Sequence, residues 1–176
     1  MRTLTRDSGP GVGAGIGFAL ASYNGAGTGV FQSDNSSIDI SGLNIAGAGV
    51  AYTIINSAFG VFGSNVGTIT FDGSGGASVT FDLVEGLNVR DHYFGNYNNI
   101  ATGLYGTAAY SNGTEVPDGP GKVHFDVQRF NLSALMGQNI SSISFDGNNP
   151  GGGEPFLAAI TTGAAAGAVP EPAIWT

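Results

Sequence analysis

The chain has 176 residues, of which 10% are charged and 31 are glycine, and its formal net charge is -8. This length suits one domain with a hydrophobic core and is too short for two sizeable ones. With only five Lys and Arg residues, the chain lacks the convergent cations that nucleic acids and anionic lipid surfaces require. It has no cysteine, which excludes disulfides, thiolate nucleophiles and cysteine-based zinc sites.

Residues 1–26 form a glycine- and alanine-rich segment ahead of the predicted domain. Arg2 and Arg6 precede a moderately apolar run at 11–20, and Ala19-Leu20-Ala21 fits the small-residue pattern of a signal-peptidase site. Two interpretations stay open: a signal-peptide remnant, or a glycine-rich strand that is exchanged with a neighbouring subunit. No stretch reaches the roughly 20 apolar residues of a membrane span, so we expect none in this chain.

Alternation of apolar and polar residues with a period of two predicts a β domain over residues 27–162. The clearest instance is the hairpin at 67–83, where the turn Asp72-Gly-Ser-Gly-Gly separates two alternating runs. Further strands are predicted, in chain order, at 29–32, 37–40, 50–55, 87–94, 103–110, 122–130, 140–145 and 155–162. A helical turn is predicted at 132–136, with Asn131 as its cap.

The strand at 122–130 has two distinct rows of side chains. The apolar row, which we expect to face the core, comprises Val123, Phe125 and Val127. The polar row, which we expect to face solvent, comprises His124, Asp126 and Gln128. Arg129 interrupts the pattern near the end of the strand, where its guanidinium can reach water.

The fold class predicted from these elements is all-β. Short strands at intervals of about ten residues, separated by Gly, Asn, Asp or Pro, are typical of a sandwich or jelly roll. We therefore expect a single β-sandwich, jelly-roll-like, with a glycine-rich amino-terminal segment. Residues 163–176 form a Gly/Ala linker and an extended tail.

The tail reads Val169-Pro170-Glu171-Pro172-Ala173-Ile174-Trp175-Thr176. It resembles the PEP-CTERM sorting signal of Gram-negative bacteria, with Val169, Pro170, Glu171 and Pro172 as the matching motif. In that family a membrane helix and an Arg-rich end follow the motif, and an exosortase removes the tail during export. The resemblance implies a secreted protein of the extracellular surface, associated with exopolysaccharide or biofilm matrix, with a tail that stops before the helix.

Catalytic chemistry has little support in the sequence. Hydrolysis requires a nucleophile with a base, or paired carboxylates in a cleft. The chain has two histidines, His92 and His124, and neither a Gly-x-Ser-x-Gly nor a His-Glu-x-x-His motif. We predict surface or rim positions for both histidines, no catalytic residues and no enzymatic activity.

Calcium is the cofactor that the composition best allows. The loop at 146–154 supplies Asp146, Asn148 and Glu154, whose oxygen atoms suit a calcium site of the kind that β-sandwich loops hold. Asp, Asn and Gly are also ordinary turn residues, and the spacing differs from that of an EF-hand. Both interpretations of this loop stay open.

Tyrosines and asparagines concentrate between residues 93 and 110. The candidate glycan-binding residues are Tyr93, Tyr97, Tyr105 and Tyr110, with Asn96, Asn98 and Asn99 among them. Aromatic rings stack on the faces of sugars while amides bond their hydroxyl groups, so such a set can form a carbohydrate platform. The alternative is that the tyrosines cover the rim of the core.

The predicted function is that of an exported, non-catalytic structural component of the cell surface or extracellular matrix. One alternative is a filament subunit that assembles by strand addition through residues 11–23 or 163–169. Another is a lectin-like carbohydrate-binding module. The expected partners are exopolysaccharide or further copies of the chain, an exosortase in the precursor, and no nucleic acid.

Overall fold

A computed structural model describes residues 37–112, 114–148 and 153–163, together with the backbone of 3–4, 18–19 and 31–32. In chain order the strands are β1 (Thr3–Leu4), β2 (Phe18–Ala19), β3 (Phe31–Gln32), β4 (Ser37–Ile40), β5 (Val50–Ala58), β6 (Asn65–Gly73), β7 (Ser78–Val84), β8 (Gly106–Ser111), β9 (Thr114–Val116), β10 (Val123–Asn131), β11 (Ile140–Gly147) and β12 (Glu154–Gly163). A 3-10 turn covers Ser133–Leu135. Within this described part of the chain, no helix is long and apolar enough to span a membrane.

The strands form two main antiparallel sheets. The six-stranded sheet has the order β3-β12-β5-β10-β8-β9, and the four-stranded sheet has the order β4-β11-β6-β7, while β1 and β2 pair separately. One hydrophobic core draws residues from both main sheets, so the predicted all-β sandwich is confirmed. The jelly-roll connectivity stays a prediction.

The core between the sheets contains the predicted hairpin. Strands β6 and β7 pair with Ile69 opposite Phe81 and Phe71 opposite Val79. Ile69 and Phe71 are fully buried, and β11 adds Phe145 from the neighbouring strand. Burying a side chain of this size contributes about 2–3 kcal/mol, so the alternation in the hairpin is sufficient to fix which face packs inward.

Strand β10 is oriented opposite to the prediction. His124, Asp126 and Gln128 are buried on the same face as Phe130, which belongs to the core between the sheets. Phe125 and Val127 are partly buried on the outer face of the six-stranded sheet, where they pack against Ile54, Ala158 and Ala159. The period of two is correct, but the predicted inward and outward faces are wrong, because the polar row finds hydrogen-bond partners inside the protein.

Two further predictions have different outcomes. The strand expected at 87–94 is wrong, since these residues lie in the connection between β7 and β8 and make only isolated bridges. The helical turn at 132–136 is confirmed as the 3-10 turn, and Asn131 Oδ1 accepts a hydrogen bond from the Ser133 N–H at 2.9 Å.

Candidate functional site

Two loops meet at one end of the sandwich, which we call the loop end: residues 59–64 between β5 and β6, and residues 85–105 between β7 and β8. The Gly63 N–H donates to the Glu85 carbonyl at 2.9 Å, and the Asn98 N–H donates to the Gly60 carbonyl at 3.3 Å. Phe59 and Tyr97 add an edge-on ring contact with centroids 5.2 Å apart. The two loops therefore form one surface, and an ordered connection as long as 85–105 is more often functional than incidental.

The longer loop is inserted between two strands of the six-stranded sheet. Ser57 of β5 makes a parallel bridge with Asp91, and Val123 of β10 makes an antiparallel bridge with Tyr93. The Ser57 N–H donates to the Arg90 carbonyl at 3.0 Å, and the His124 N–H donates to the His92 carbonyl at 2.7 Å. Residues 91–93 thus occupy the space that opens where β5 and β10 diverge.

Side chains replace the backbone pairing lost at this divergence. The β5–β10 ladder ends at Ile54 opposite Val127. Beyond it, the Ile55 N–H donates to Gln128 Oε1 at 2.9 Å and Gln128 Nε2 donates to the Ile55 carbonyl at 2.7 Å. Asn56 binds Asp126 through both atoms of its amide. Its Oδ1 accepts from the Asp126 N–H at 3.0 Å, and its Nδ2 donates to the Asp126 carboxylate at 2.8 Å. Buried amide side chains therefore satisfy strand groups that would otherwise lack partners.

Arg90 lies at the centre of this buried polar region. Its guanidinium binds Asp126 bidentately, with Nε to Oδ2 at 2.7 Å and Nη2 to Oδ1 at 2.9 Å. Nη1 donates to Asp118 Oδ2 at 3.0 Å and to the Asn99 carbonyl at 3.1 Å. Nη2 also donates to Thr107 Oγ1 at 3.0 Å, and the Thr107 hydroxyl donates to Asp126. The Arg90 guanidinium therefore links the longer loop to strands β8 and β10.

His124 is enclosed beside this cluster and is not the rim residue that we predicted. Its Nδ1 lies 2.9 Å from Asp118 Oδ1, and its Nε2 is buried without a hydrogen-bond partner among the described residues. Burial lowers the pKa of His124, and the charge of Arg90 lowers it further against the opposing effect of the carboxylates. The imidazole is therefore neutral at pH 7 and out of reach of a substrate. His92 is a rim residue as predicted, with its side chain 39% exposed.

Two buried carboxylates hold the loop end in place through hydrogen bonds. Asp91 accepts hydrogen bonds from the Phe59 N–H at 2.7 Å and from the Tyr93 N–H at 2.8 Å. Glu85 is buried and accepts hydrogen bonds from the Ser57 hydroxyl and from Asn98 Nδ2. Burial raises the pKa of Glu85, the two hydrogen bonds lower it, and the charge of Asp91 raises it further, with a net increase. Both groups act as supports, because neither is open to solvent.

The Glu85→Gln variant should lose part of the pH dependence of stability. Because the folded state binds the Glu85 proton more tightly than the unfolded state does, this group makes the free energy of unfolding fall as pH rises above the ordinary glutamate pKa. Glutamine cannot ionise but can keep hydrogen bonds to Ser57 and Asn98. Urea titrations between about pH 4 and pH 8 give the free energy of unfolding of both proteins. The value for the original chain minus the value for the variant should decrease as pH rises. Parallel curves would contradict this role.

The outer surface of the loop end is apolar. Seven large side chains there are between 46% and 67% exposed. They are Phe59, Val61, Phe62, Leu87, Tyr93, Tyr97 and Ile100. They lie on two loops that contact one another, and exposed apolar side chains grouped in this way mark binding surfaces. We call these seven residues the loop-end patch.

The backbone of the loop-end patch is constrained. Phe59 has a positive φ of 64°, which a bulky residue adopts only when its surroundings impose it. The Phe62 ring lies directly over Gly86, where a Cβ atom would approach the ring to 2.4 Å and where φ is +88°. The patch is therefore a preformed surface, which reduces the entropy lost on binding.

The four predicted glycan-binding tyrosines are divided between two places. Tyr93 and Tyr97 belong to the loop-end patch. Tyr105 packs against Tyr52, and Tyr110 packs against Phe125 on the outer face of the six-stranded sheet. Tyr110 and Tyr93 both pair with Val123, so the two places adjoin at the start of β10, and glycan binding by all four tyrosines stays a prediction. The side chains that sequence reasoning missed are Phe59, Val61, Phe62, Leu87 and Ile100.

The predicted calcium loop lies next to the loop end. Asp146 Oδ2 is 3.4 Å from the Thr68 hydroxyl, and Asn148 Nδ2 is 3.5 Å from the Asn65 carbonyl. Residues 149–152, between Asn148 and Glu154, lie outside the described residues. Nowhere in the described ranges do three or more His, Asp or Glu side chains form a group suited to a metal. Calcium binding by Asp146, Asn148 and Glu154 stays a prediction.

The predicted terminal features lie outside what the structure describes. The sorting motif Val169, Pro170, Glu171 and Pro172 belongs to residues 164–176, which are not described. Of the amino-terminal segment 1–26, only the backbone of β1 and β2 is described. Comparison of the chain with protein-family models, with curated proteins and with solved structures finds no match.

Proposed function

We propose that the chain is an exported, non-catalytic component of the bacterial cell surface or its matrix and that it holds extracellular polysaccharide at the loop end. The observation that carries the proposal is the loop-end patch, seven exposed large apolar side chains on two loops that contact one another. Four of its seven members are aromatic, and aromatic rings stack on the apolar faces of sugars. The resemblance of residues 169–176 to a sorting signal supports export to the surface.

The buried ionisable groups favour binding over catalysis. Arg90, Asp126 and His124 are enclosed, and Glu85 and Asp91 hold loop backbone or loop side chains. A catalytic acid or base must come within hydrogen-bond reach of a substrate, which these enclosed groups cannot do without opening the loop end. Their contacts account for a rigid support beneath a binding surface.

Filament assembly by strand addition has weaker support. Strand β7 is an edge of the four-stranded sheet, where a neighbour could add a strand. Asn88 covers part of this edge, since its Oδ1 accepts from the Val84 N–H at 2.8 Å and its Nδ2 donates to the Asp82 carbonyl at 2.9 Å. The filament proposal also depends on residues 11–23 or 163–169, most of which are not described.

Loss of two exposed rings should abolish most polysaccharide binding. We expect the original chain to be retained by at least one of cellulose, chitin, alginate or polygalacturonate in a pull-down assay. The double variant Phe62→Ala/Tyr97→Ala should bind about five- to 150-fold more weakly, because each stacked ring contributes about 0.5–1.5 kcal/mol. Thermal unfolding of the variant should change little, since both rings are exposed.

Met136→Ala is the matched control. Met136 is 70% exposed and follows the 3-10 turn after the end of β10, whereas the loop end meets the start of that strand. Its replacement should leave binding unchanged. Absence of retention by every polymer, or equal binding by the double variant, would contradict the proposal. Self-association that disappears in the double variant would instead identify the loop-end patch as an interface between copies.

A further inference from the structure

Two of the three amides named for this loop, Asn98 and Asn99, are engaged in holding it, while Asn96 is exposed. Asn98 Nδ2 donates to Glu85 at 2.8 Å, and its Oδ1 accepts from the Ile100 N–H at 3.1 Å. Asn99 Oδ1 accepts from the Gly95 N–H at 3.0 Å, and its Nδ2 donates to the Gly95 and Tyr97 carbonyls at 2.9 and 2.6 Å. These side chains have little capacity left for sugar hydroxyl groups. Apart from the amide of Asn96, recognition at the loop-end patch therefore depends mainly on apolar contact with ring faces.

Positive charge is scarce at the same surface. The chain carries a formal net charge of -8. Arg90 is fully used by Asp126 and Asp118, and Arg129 lies near the far end of β10. Lys122, next to the start of β10, is the one further cation in the described part of the chain. A polyanion at the loop-end patch would gain almost no ion pairs and would be repelled by the protein as a whole.

We propose that the loop-end patch is selective for neutral polysaccharides whose sugar rings present flat apolar faces, as β-1,4-linked glucose or N-acetylglucosamine chains do. This inference rests on the proposed function and specifies its ligand. Equatorial linkages leave both faces of each ring lined with C–H groups, which match exposed rings such as Phe62 and Tyr97. A patch of seven large side chains can contact several consecutive sugar rings, so affinity increases with chain length.

Two cellulose derivatives with the same backbone provide the test. Hydroxyethyl cellulose is neutral and carboxymethyl cellulose is anionic, so affinity electrophoresis of the full chain in each polymer isolates the effect of charge. At low salt we expect at least tenfold weaker binding to the anionic polymer, with a smaller difference at high salt because screening reduces the repulsion. Dextran, a neutral polymer with α-linkages, should bind more weakly than hydroxyethyl cellulose.

Two variants distinguish binding through the loop-end patch from binding through Lys122. Phe62→Ala should weaken binding to hydroxyethyl cellulose, and Lys122→Gln should leave it unchanged. Equal or tighter binding to carboxymethyl cellulose or alginate at low salt, or loss of binding in Lys122→Gln, would overturn the neutral-ligand inference and leave polysaccharide binding intact. Failure to bind any neutral or anionic polymer would refute the proposed function itself.

Discussion

The Arg90→Met variant should have a free energy of unfolding about 3–5 kcal/mol lower than that of the original chain. Methionine approximates the volume of the arginine side chain but leaves the Asp126 carboxylate buried without its bidentate partner. It also removes the donors to the Asn99 carbonyl within the longer loop and to Asp118 in the connection between β9 and β10. Urea titration at neutral pH measures the effect.

Two comparisons separate loss of the ion pair from loss of packing. Arg129→Met changes the exposed arginine of β10 and should lower the free energy of unfolding by less than about 0.5 kcal/mol. The double variant Arg90→Met/Asp126→Leu should recover stability relative to Arg90→Met, because it removes the uncompensated charge. A single-variant loss below about 1 kcal/mol would show that the cluster does not support the loop end.

The Gln128→Leu variant should have a free energy of unfolding about 3–5 kcal/mol lower than that of the original chain. Leucine leaves the Ile55 N–H and carbonyl and the Asn88 carbonyl without the partners that the amide supplies. Each unsatisfied buried group costs about 1–3 kcal/mol, reduced where the structure can relax. Amide hydrogen exchange adds a local measurement, and the Ile55 N–H should exchange faster in the variant.

Thr53→Val is the matched control for this prediction. It removes only the hydroxyl group that donates to Gln128 Oε1 at 2.9 Å, and the Ile55 N–H still satisfies that oxygen. We expect the free energy of unfolding to fall by about 1 kcal/mol and the Ile55 amide hydrogen to exchange at an unchanged rate. If the free energy of unfolding fell by a similar amount in both variants, the amide of Gln128 would not replace strand pairing.

The fold was predictable from local patterns wherever one face of a strand was apolar and the other was wet. The β6–β7 hairpin fits this rule, with Ile69 and Phe71 inside. Strand β10 does not, because both of its rows are covered: Phe125 lies in the outer cluster, and Asp126 lies beneath the longer loop. Alternation separates the two faces of a strand, but it cannot identify the inner face when polar side chains have buried partners.

The candidate site was only partly predictable for a related reason. Tyr93 and Tyr97 could be identified from composition, since they lie in a segment rich in Tyr and Asn. The partnership of Arg90 with Asp126 joins residues 36 positions apart, and no local pattern encodes it. Phe59 and Phe62 lie on another loop, so the contact of Phe59 with Tyr97 and that of Phe62 with Gly86 depend on the pairing of whole strands.

The most direct test of the central claim is an NMR titration of the ¹⁵N-labelled chain with a soluble β-1,4-linked glucose oligomer. We predict chemical-shift changes concentrated at residues 59–64 and 85–105, with little change around Met136 and Ile140. Shifts confined to the outer face around Tyr105 and Tyr110, or no shifts at any oligomer length, would contradict a polysaccharide-binding loop end.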